Sequence, residues 1–424
     1  MSEQVVPSQT PVSLWRNTNF TRLWLASIVS NAGTHITNLA LPLTAALTLG
    51  ANPPQMGLLA IAGSLPNLLF GLLAGVWVDR TRRRQVLVWA DLGRALLLAS
   101  IPLAAFLGSL TFIHLYVIAF VTSTLSIFFT IASVAVLPSV VKREQLVEAN
   151  SKFALSDSVM TIAAPSTAGG IVQLLSAPKA IIVDAISYVL SALSLGGVRI
   201  SEKPSQAKLT RSQVWKEVRE GGQALIETPL LRALTISGLI GTIGGSMQAA
   251  VAILFLTRDL SLGPALIGLL SACGGVGSLL GAVIAGRLGR HIGIGMAVIL
   301  GNFLWIAGGL LTPLAGFAGV SLPYLVGGAM IAAIGATIFS VNQMSLRQHL
   351  TAVELLGRVT AARRFVIFSL APVGSALGGV LGSTLGLRAT LVLGGLVGMA
   401  SVVVVFFSPV RSARDMPSST TRGE

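Results

Sequence analysis

Apolar stretches of about 20 residues recur along the whole chain, separated by short polar or charged connections. Each is long enough to cross about 30 Å of hydrocarbon as an α-helix, the form in which a backbone satisfies its own N–H and C=O groups where no water can do so. The pattern predicts twelve membrane-spanning segments, over residues 22–49, 56–78, 86–108, 112–137, 153–176, 179–198, 231–256, 264–286, 292–312, 321–344, 360–386 and 388–409. Residues 1–20 are polar and the first apolar run is full length, so segment 1 is expected to be retained rather than cleaved. The stretch 199–230 is polar and charged; within it Val214 to Ile226 is amphipathic, which predicts a helix lying on the membrane surface.

Polar residues interrupt four segments at helical spacing, as expected of helices that line a wet cavity rather than face lipid. Segment 1 carries Asn31, Thr34, His35 and Asn38; segment 4 carries Ser123, Ser126, Thr130 and Ser133. Segment 7 offers Thr242, Ser246 and Gln248, and segment 10 offers Thr337, Ser340, Asn342 and Gln343. A single Ser or Thr often just bonds its own helix, but these four stripes fall on the first and fourth segments of two equivalent sets of six. Shifted by 211 positions, Pro53 falls on Pro264, Gly57-Leu58-Leu59 on Gly268-Leu269-Leu270, Gly63 on Gly274 and Pro102 on Pro313; Pro165 matches Pro372 at a shift of 207. The chain therefore reads as an all-α membrane protein built from two parallel six-helix repeats, 1–198 and 231–424, joined by the linker 199–230. Repeats of this kind place a binding site between the halves and expose it to alternate sides. Asn31, Thr34, His35, Asn38, Ser126, Thr130, Gln248, Asn342 and Gln343 are the candidate cavity residues.

Composition agrees with a bilayer: 53% hydrophobic residues, 10% charged, mean hydropathy +0.82. The net charge of +14 would point to nucleic acid in a soluble protein, but placement decides otherwise. Of 29 Lys and Arg, 25 lie in connections on one side, three on the other and Arg94 inside segment 3. That asymmetry is the positive-inside pattern; it places both termini in the cytoplasm and removes nucleic acid from the candidate partners. The lone Cys273 excludes disulfides and a cysteine metal site. Glycines at four-residue spacing in segments 2, 8 and 11 (Gly71 and Gly75; Gly277 and Gly281; Gly374, Gly378, Gly382 and Gly386) predict close helix packing.

After segment 2 the chain reads Gly75-x-x-x-Asp79-Arg80-x-x-Arg83-Arg84. This resembles the signature loop of the major facilitator superfamily, G-x-x-x-D-[RK]-x-G-[RK]-[RK], with Arg82 in place of the glycine. Leu14-Trp15-Arg16-Asn17-x-x-Phe20-x-x-Leu23-Trp24, Glu148-Ala149-Asn150-Ser151, Val183-Asp184-Ala185-Ile186-Ser187-Tyr188 and Gly357-Arg358-Val359 with Ala371-Pro372-x-Gly374 are similar to its macrolide-efflux and siderophore-export branch. Segment 5 resembles the drug-exporter motif G-x-x-x-G-P-x-x-G-G, although Met160, Ala164 and Ala168 replace glycines around Pro165. The resemblance implies the major facilitator fold with twelve transmembrane helices, a small-molecule substrate, no cofactor, no enzymatic reaction, a monomer, and the bacterial inner membrane. It also implies a gating latch: Asp79, flanked by Gly75, Arg80, Arg83 and Arg84, is expected to approach the N-terminal end of segment 11 when the cytoplasmic side closes, with Arg358, Arg363 or Arg364 adding an ion pair.

No nucleotide-binding loop is present, so an ion gradient, expected to be of protons, is the energy source. Ionisable groups within the membrane are the candidates for carrying it. Asp157 and Asp184 are the proton-coupling candidates, His35 has a suitable titration range, and Asp91 with Arg94, three apart, is expected to be a structural ion pair. A cavity of Ser, Thr, Asn and Gln with few charges favours a hydrophobic or amphipathic cargo over a phosphate or dicarboxylate. Proton-coupled export is the leading expectation; uptake symport, lipid movement and a non-transporting sensor or assembly subunit are the alternatives.

Overall fold

A chain in hydrocarbon folds as helices because no other open form pairs its backbone internally, and the computed structural model shows helices throughout. It describes residues 14–71, 73–199, 211–317 and 322–413. The helices are α1 (Thr18–Leu43), α2 (Pro53–Phe70), α3 (Leu73–Asp79), α4 (Arg83–Phe106), α5 (Phe112–Val140), α6 (Leu146–Leu175), α7 (Ala177–Gly196), α8 (Arg211–Glu227), α9 (Pro229–Leu254), α10 (Pro264–Ile292), α11 (Ile294–Leu311), α12 (Leu322–Leu350), α13 (Leu356–Ser369), α14 (Ala371–Thr384) and α15 (Leu387–Phe406). Starts are fixed locally. Asn17 accepts from the amides of Asn19 and Phe20, and Asn52 and Gln55 bond each other's backbone in a capping box, with Pro53 in the first turn of α2.

All twelve expected segments are present, with two adjustments. Helices such as α6, α10 and α12 run a turn or more past the apolar runs, to Leu146, Ile292 and Leu350, because hydropathy marks the hydrocarbon and not the end of backbone hydrogen bonding. Segment 2 is interrupted after Phe70 into α2 and α3, and segment 11 at Leu370, with Pro372 opening α14. At Pro165 α6 forgoes one backbone hydrogen bond but runs on through it. Among the described residues ten helices are long and apolar enough to cross a membrane; α1, diluted by its polar stripe, and α2, cut short, fall below that measure.

The repeat is visible in the backbone. A π-helical turn closes α1 over Thr44–Thr48 and another closes α9 over Phe255–Asp259, 211 positions apart. Gly50 and its counterpart Ser261 both have positive φ, 67° and 51°; glycine accommodates this freely, serine under strain.

Within the first half α1 and α4 pack on α7; within the second α9 packs on α15, and α10 and α11 on α12. Across the halves α6 meets α10 and α2 meets α14. These seams are tight at the end remote from the arginine-rich connections. A β-carbon on Gly169 would stand 2.9 Å from the Gly268 Cα, and one on Gly57 2.8 Å from the Ser375 carbonyl oxygen. Arg258 Nη2 donates to the Ala51 carbonyl across the boundary at 2.8 Å. The largest buried cluster also sits at this end and joins the halves, setting Leu43, Ile101, Leu115 and Ile181 against Leu254 and Ile267. At the basic end the cores are separate, one built from Phe20, Leu87 and Val136 of the first half, the other from Leu234, Val298 and Val405 of the second. The molecule is thus closed at its weakly charged end and parted at its basic end. Of the predicted glycine stripes, Gly277 and Gly281 pack on α12, and Gly374 and Gly378 on α9, so they serve packing within a half.

The linker helix α8 docks on α13. Gly221 abuts the Arg358 carbonyl, Glu220 Oε2 accepts from Arg358 Nη1 at 2.6 Å, and Leu225 is buried with Leu231, Val359 and Ala362. The side chains of residues 211–218, including part of the amphipathic stretch, lie outside the described residues.

Candidate functional site

A polar stripe on a helix commits only those side chains whose azimuth points inward. In the first half α1 delivers most of its stripe. Thr34 and Asn38 line a cavity of about 370 Å3 with Ser123 and Ser126 of α5 and Tyr188 of α7, reaching Ala249 and Ile253 of α9. His35 and Asn38 line a second space of about 450 Å3, with Pro165 and Ser271. Asn31 Nδ2 donates to Asp157 Oδ1 at 3.0 Å, joining α1 to α6, and Asp157 is exposed. Thr130 is exposed, its hydroxyl bonded to the Ser126 carbonyl at 2.8 Å.

Behind that wall lies a buried polar network. The Asp184 carboxyl, 0% exposed, accepts from the Thr37 hydroxyl and from Ser187 Oγ at 3.0 Å. Arg94, 3% exposed, pairs with Asp91, donates to Ser126 Oγ at 3.3 Å and lies over the rings of Phe129 at 4.5 Å and Tyr188 at 4.1 Å. Tyr188 Oη in turn shares a 2.9 Å hydrogen bond with Thr34 Oγ1. The expected Asp91–Arg94 pair is present, but Arg94 does more: through Ser126 and Tyr188 it braces two residues of the cavity wall. Buried charge is tolerated in a membrane when paired in this manner.

The second half contributes a cavity of about 470 Å3 between α9, α11, α12 and α13. Gln343 lines it, its carboxamide oxygen accepting from Arg363 Nη2 and, at 3.2 Å, Arg363 Nε. Two residues of the predicted stripe turn elsewhere. Asn342 is 4% exposed and donates to the carbonyls of Ala285 at 3.3 Å and Ile338 at 2.9 Å, holding α12 on α10. Gln248 donates to the Leu391 carbonyl at 2.8 Å, against Gly394 and Gly395 of α15. The expectation of few charges also fails here: Arg347, Arg363 and Arg364 all line this cavity.

In the signature loop Gly75 sits in α3, and the side chain of Asp79 lies outside the described residues. Arg83 Nη1 donates to the Ala135 carbonyl of α5 at 2.9 Å, and Arg84 Nε to the Leu195 carbonyl of α7 at 3.2 Å, with Arg84 Nη2 on Gly196. These two arginines therefore brace helices of their own half, where the last carbonyls of α7 lack helical partners. Arg80 follows α3 at the surface. Arg364, expected in the latch, is exposed and lies over Phe368 at 5.6 Å. It also lines a space of about 430 Å3 between the halves with Asn67, Gly71, Gly357 and Thr360.

Thr37, Tyr188, Arg347 and Arg363 were not among the candidate cavity residues. Arg347 and Arg363 carried a signal, charge inside long helices, that reads first as a topological determinant. Among the described residues no group of three or more His, Cys, Asp or Glu is placed to hold a metal ion.

A family model for the Major Facilitator Superfamily matches residues 23–247 and again 234–424. The chain is 28% identical over 407 residues to the multidrug efflux pump Tap of Mycolicibacterium fortuitum, covering 93% of this chain and 96% of that one. It is 25% identical over 348 residues to macrolide efflux protein A of Streptococcus pyogenes, covering 80% and 84%. Its fold resembles that of a bacterial homologue of the iron transporter ferroportin in its inward-facing state, with a TM-score of 0.75, 18% identity, and coverage of 93% and 99%.

Proposed function

The chain belongs to the major facilitator superfamily of membrane transporters, and on that premise we propose that it exports an amphipathic organic compound in exchange for protons. The observation that carries this reading is the Asn31–Asp157 bond. It sets an exposed carboxylate on a helix beside the pathway, tied to a helix that carries a polar stripe, so gain of a proton at Asp157 alters a contact between two helices of the first half. Asp184, fully buried and held by Thr37 and Ser187, is the second proton-carrying group, released from the low-dielectric core only when its helices shift.

Export, rather than uptake, is supported by the two efflux relatives. The positive-inside distribution supports a cytoplasmic position for the basic end and both termini in a bacterial inner membrane; cargo then enters from inside. Alternating access then consists of closing the basic end and parting the seams at Gly57 and Gly169. Asp79 and Arg364 are the latch that holds the basic end shut when that end closes. The test is accumulation in inverted vesicles. Uptake of an anionic or neutral amphiphile such as 1-pyrenebutyrate or 1-pyrenebutanol upon acidifying the lumen supports antiport; accumulation only when the outer medium is acidified means symport and overturns it.

A further inference from the structure

A positive charge inside a membrane protein demands a negative partner or a water-filled path, and the second-half cavity holds three positive charges and, among the described residues, no acid. Arg347 reaches its wall from α12 and is 6% exposed. Its Nε has no hydrogen-bond partner, and its Nη2 meets the Met344 sulfur at 2.6 Å, a weak acceptor. Arg363, from α13, has the neutral Gln343 carboxamide and lies within Coulombic range of Arg347. Arg364 completes the set from the parted side. None of the three is ion-paired to a described carboxylate; Glu220 pairs instead with Arg358 and Glu148 with Lys152. A purely topological arginine extends its head into the aqueous interface. Arg347 does the reverse, burying its guanidinium against a cavity whose other walls include Trp305, Phe339 and Phe368.

We propose that this cavity binds the carboxylate or phosphate group of an amphiphilic anion. Arg347 and Arg363 take the charged group, as guanidinium forks do, and Trp305, Phe339 and Phe368 take the adjoining apolar part. Cargo of this class rests on the transporter reading above; the pocket itself does not. The cargo carries its negative charge into the half opposite Asp157 and Asp184, so cargo and proton occupy different halves.

The probe is 1-pyrenebutyrate against its uncharged analogue 1-pyrenebutanol, bound to the full chain in phosphatidylcholine nanodiscs and read by energy transfer from tryptophan. Wild-type protein is expected to prefer the carboxylate roughly tenfold or more, the scale of one charge-assisted hydrogen bond. Arg347→Gln and Arg363→Gln are each expected to abolish the preference and leave alcohol binding unchanged, which also reports a folded pocket; Arg363→Lys is expected to retain part of it. Equal affinity for the two probes in wild type, or a preference that survives both Gln substitutions, overturns the proposal. If a Gln variant does not fold, the wild-type ratio and the Arg363→Lys variant decide. Displacement by inorganic phosphate assigns the pocket to a free anion, displacement by phosphatidylglycerol in the disc assigns it to a lipid headgroup, and resistance to both assigns it to cargo. Anion preference without gradient-driven accumulation in vesicles sustains the pocket and removes export; accumulation of the alcohol without anion preference does the reverse.

Discussion

Asn31 on α1 and Asp157 on α6 are joined by a 3.0 Å hydrogen bond in which the carboxylate accepts. An amide in place of the carboxylate preserves shape but cannot exchange a proton. Asp157→Asn is therefore expected to lower pH-driven accumulation by about tenfold or more, the equivalent of ~1.4 kcal/mol, while exchange of labelled for unlabelled substrate at equal pH persists. Equal losses in both assays would make Asp157 a binding residue and not a coupling one.

Thr37 supplies one of the two side-chain donors to the buried Asp184 carboxyl. Thr37→Val leaves that oxygen unpaired, at a cost of about 1–3 kcal/mol, and is expected to lower the thermal unfolding midpoint in detergent. Asp184→Asn keeps a hydrogen-bond acceptor and is expected to be milder in stability, yet to abolish the proton release that accompanies substrate binding in a weakly buffered solution.

The seam between α6 and α10 depends on two hydrogens. A β-carbon on Gly268 would lie 2.7 Å from the Gly169 Cα, closer than backbones tolerate, so Gly268→Leu forces the halves apart at their closed end. In a Cys273→Ser background, a cysteine introduced by Ser271→Cys is expected to react with an impermeant maleimide from outside several times faster once Gly268→Leu is added. Unchanged labelling would place the outer barrier elsewhere.

Two charges of the signature loop, Arg84 and Asp79, are expected to separate in their effects. Arg84 closes the C-terminal carbonyls of α7, so Arg84→Ala is expected to cost about 1–2 kcal/mol of stability without altering which side is accessible. Asp79→Asn is expected to do the opposite, shifting accessibility toward the basic end with the unfolding midpoint kept.

Much of this was readable from residue order, for identifiable reasons. A helix crossing hydrocarbon must be long and apolar, so the twelve segments and their duplication stand out, down to the Pro53 and Pro264 that open α2 and α10. Local helix form was less legible. The matched π-helical turns at Thr44–Thr48 and Phe255–Asp259 change which carbonyl each amide meets and leave no mark in composition. The site was legible only to within one residue. Asn342 and Gln343 are neighbours about 100° apart around α12; one faces α10 and the other the cavity, and a stripe read from spacing does not say which. Arg347 and Arg363 were hidden for a further reason: a basic residue near the charged end of a membrane helix has a sufficient explanation in topology, and only its direction in three dimensions shows a second one.

Four membrane segments make the two tightest seams between the halves, and they are not alike. The pair α6 and α10 is continuous, whereas the facing segments α2–α3 and α13–α14 are each interrupted, after Phe70 and at Leu370. Two stiff rods on one flank and two jointed ones on the other make an uneven mount. Motion about it is expected to pivot along the rods and to bend at the joints, so the cleft should gape like a door hung on one side rather than widen evenly.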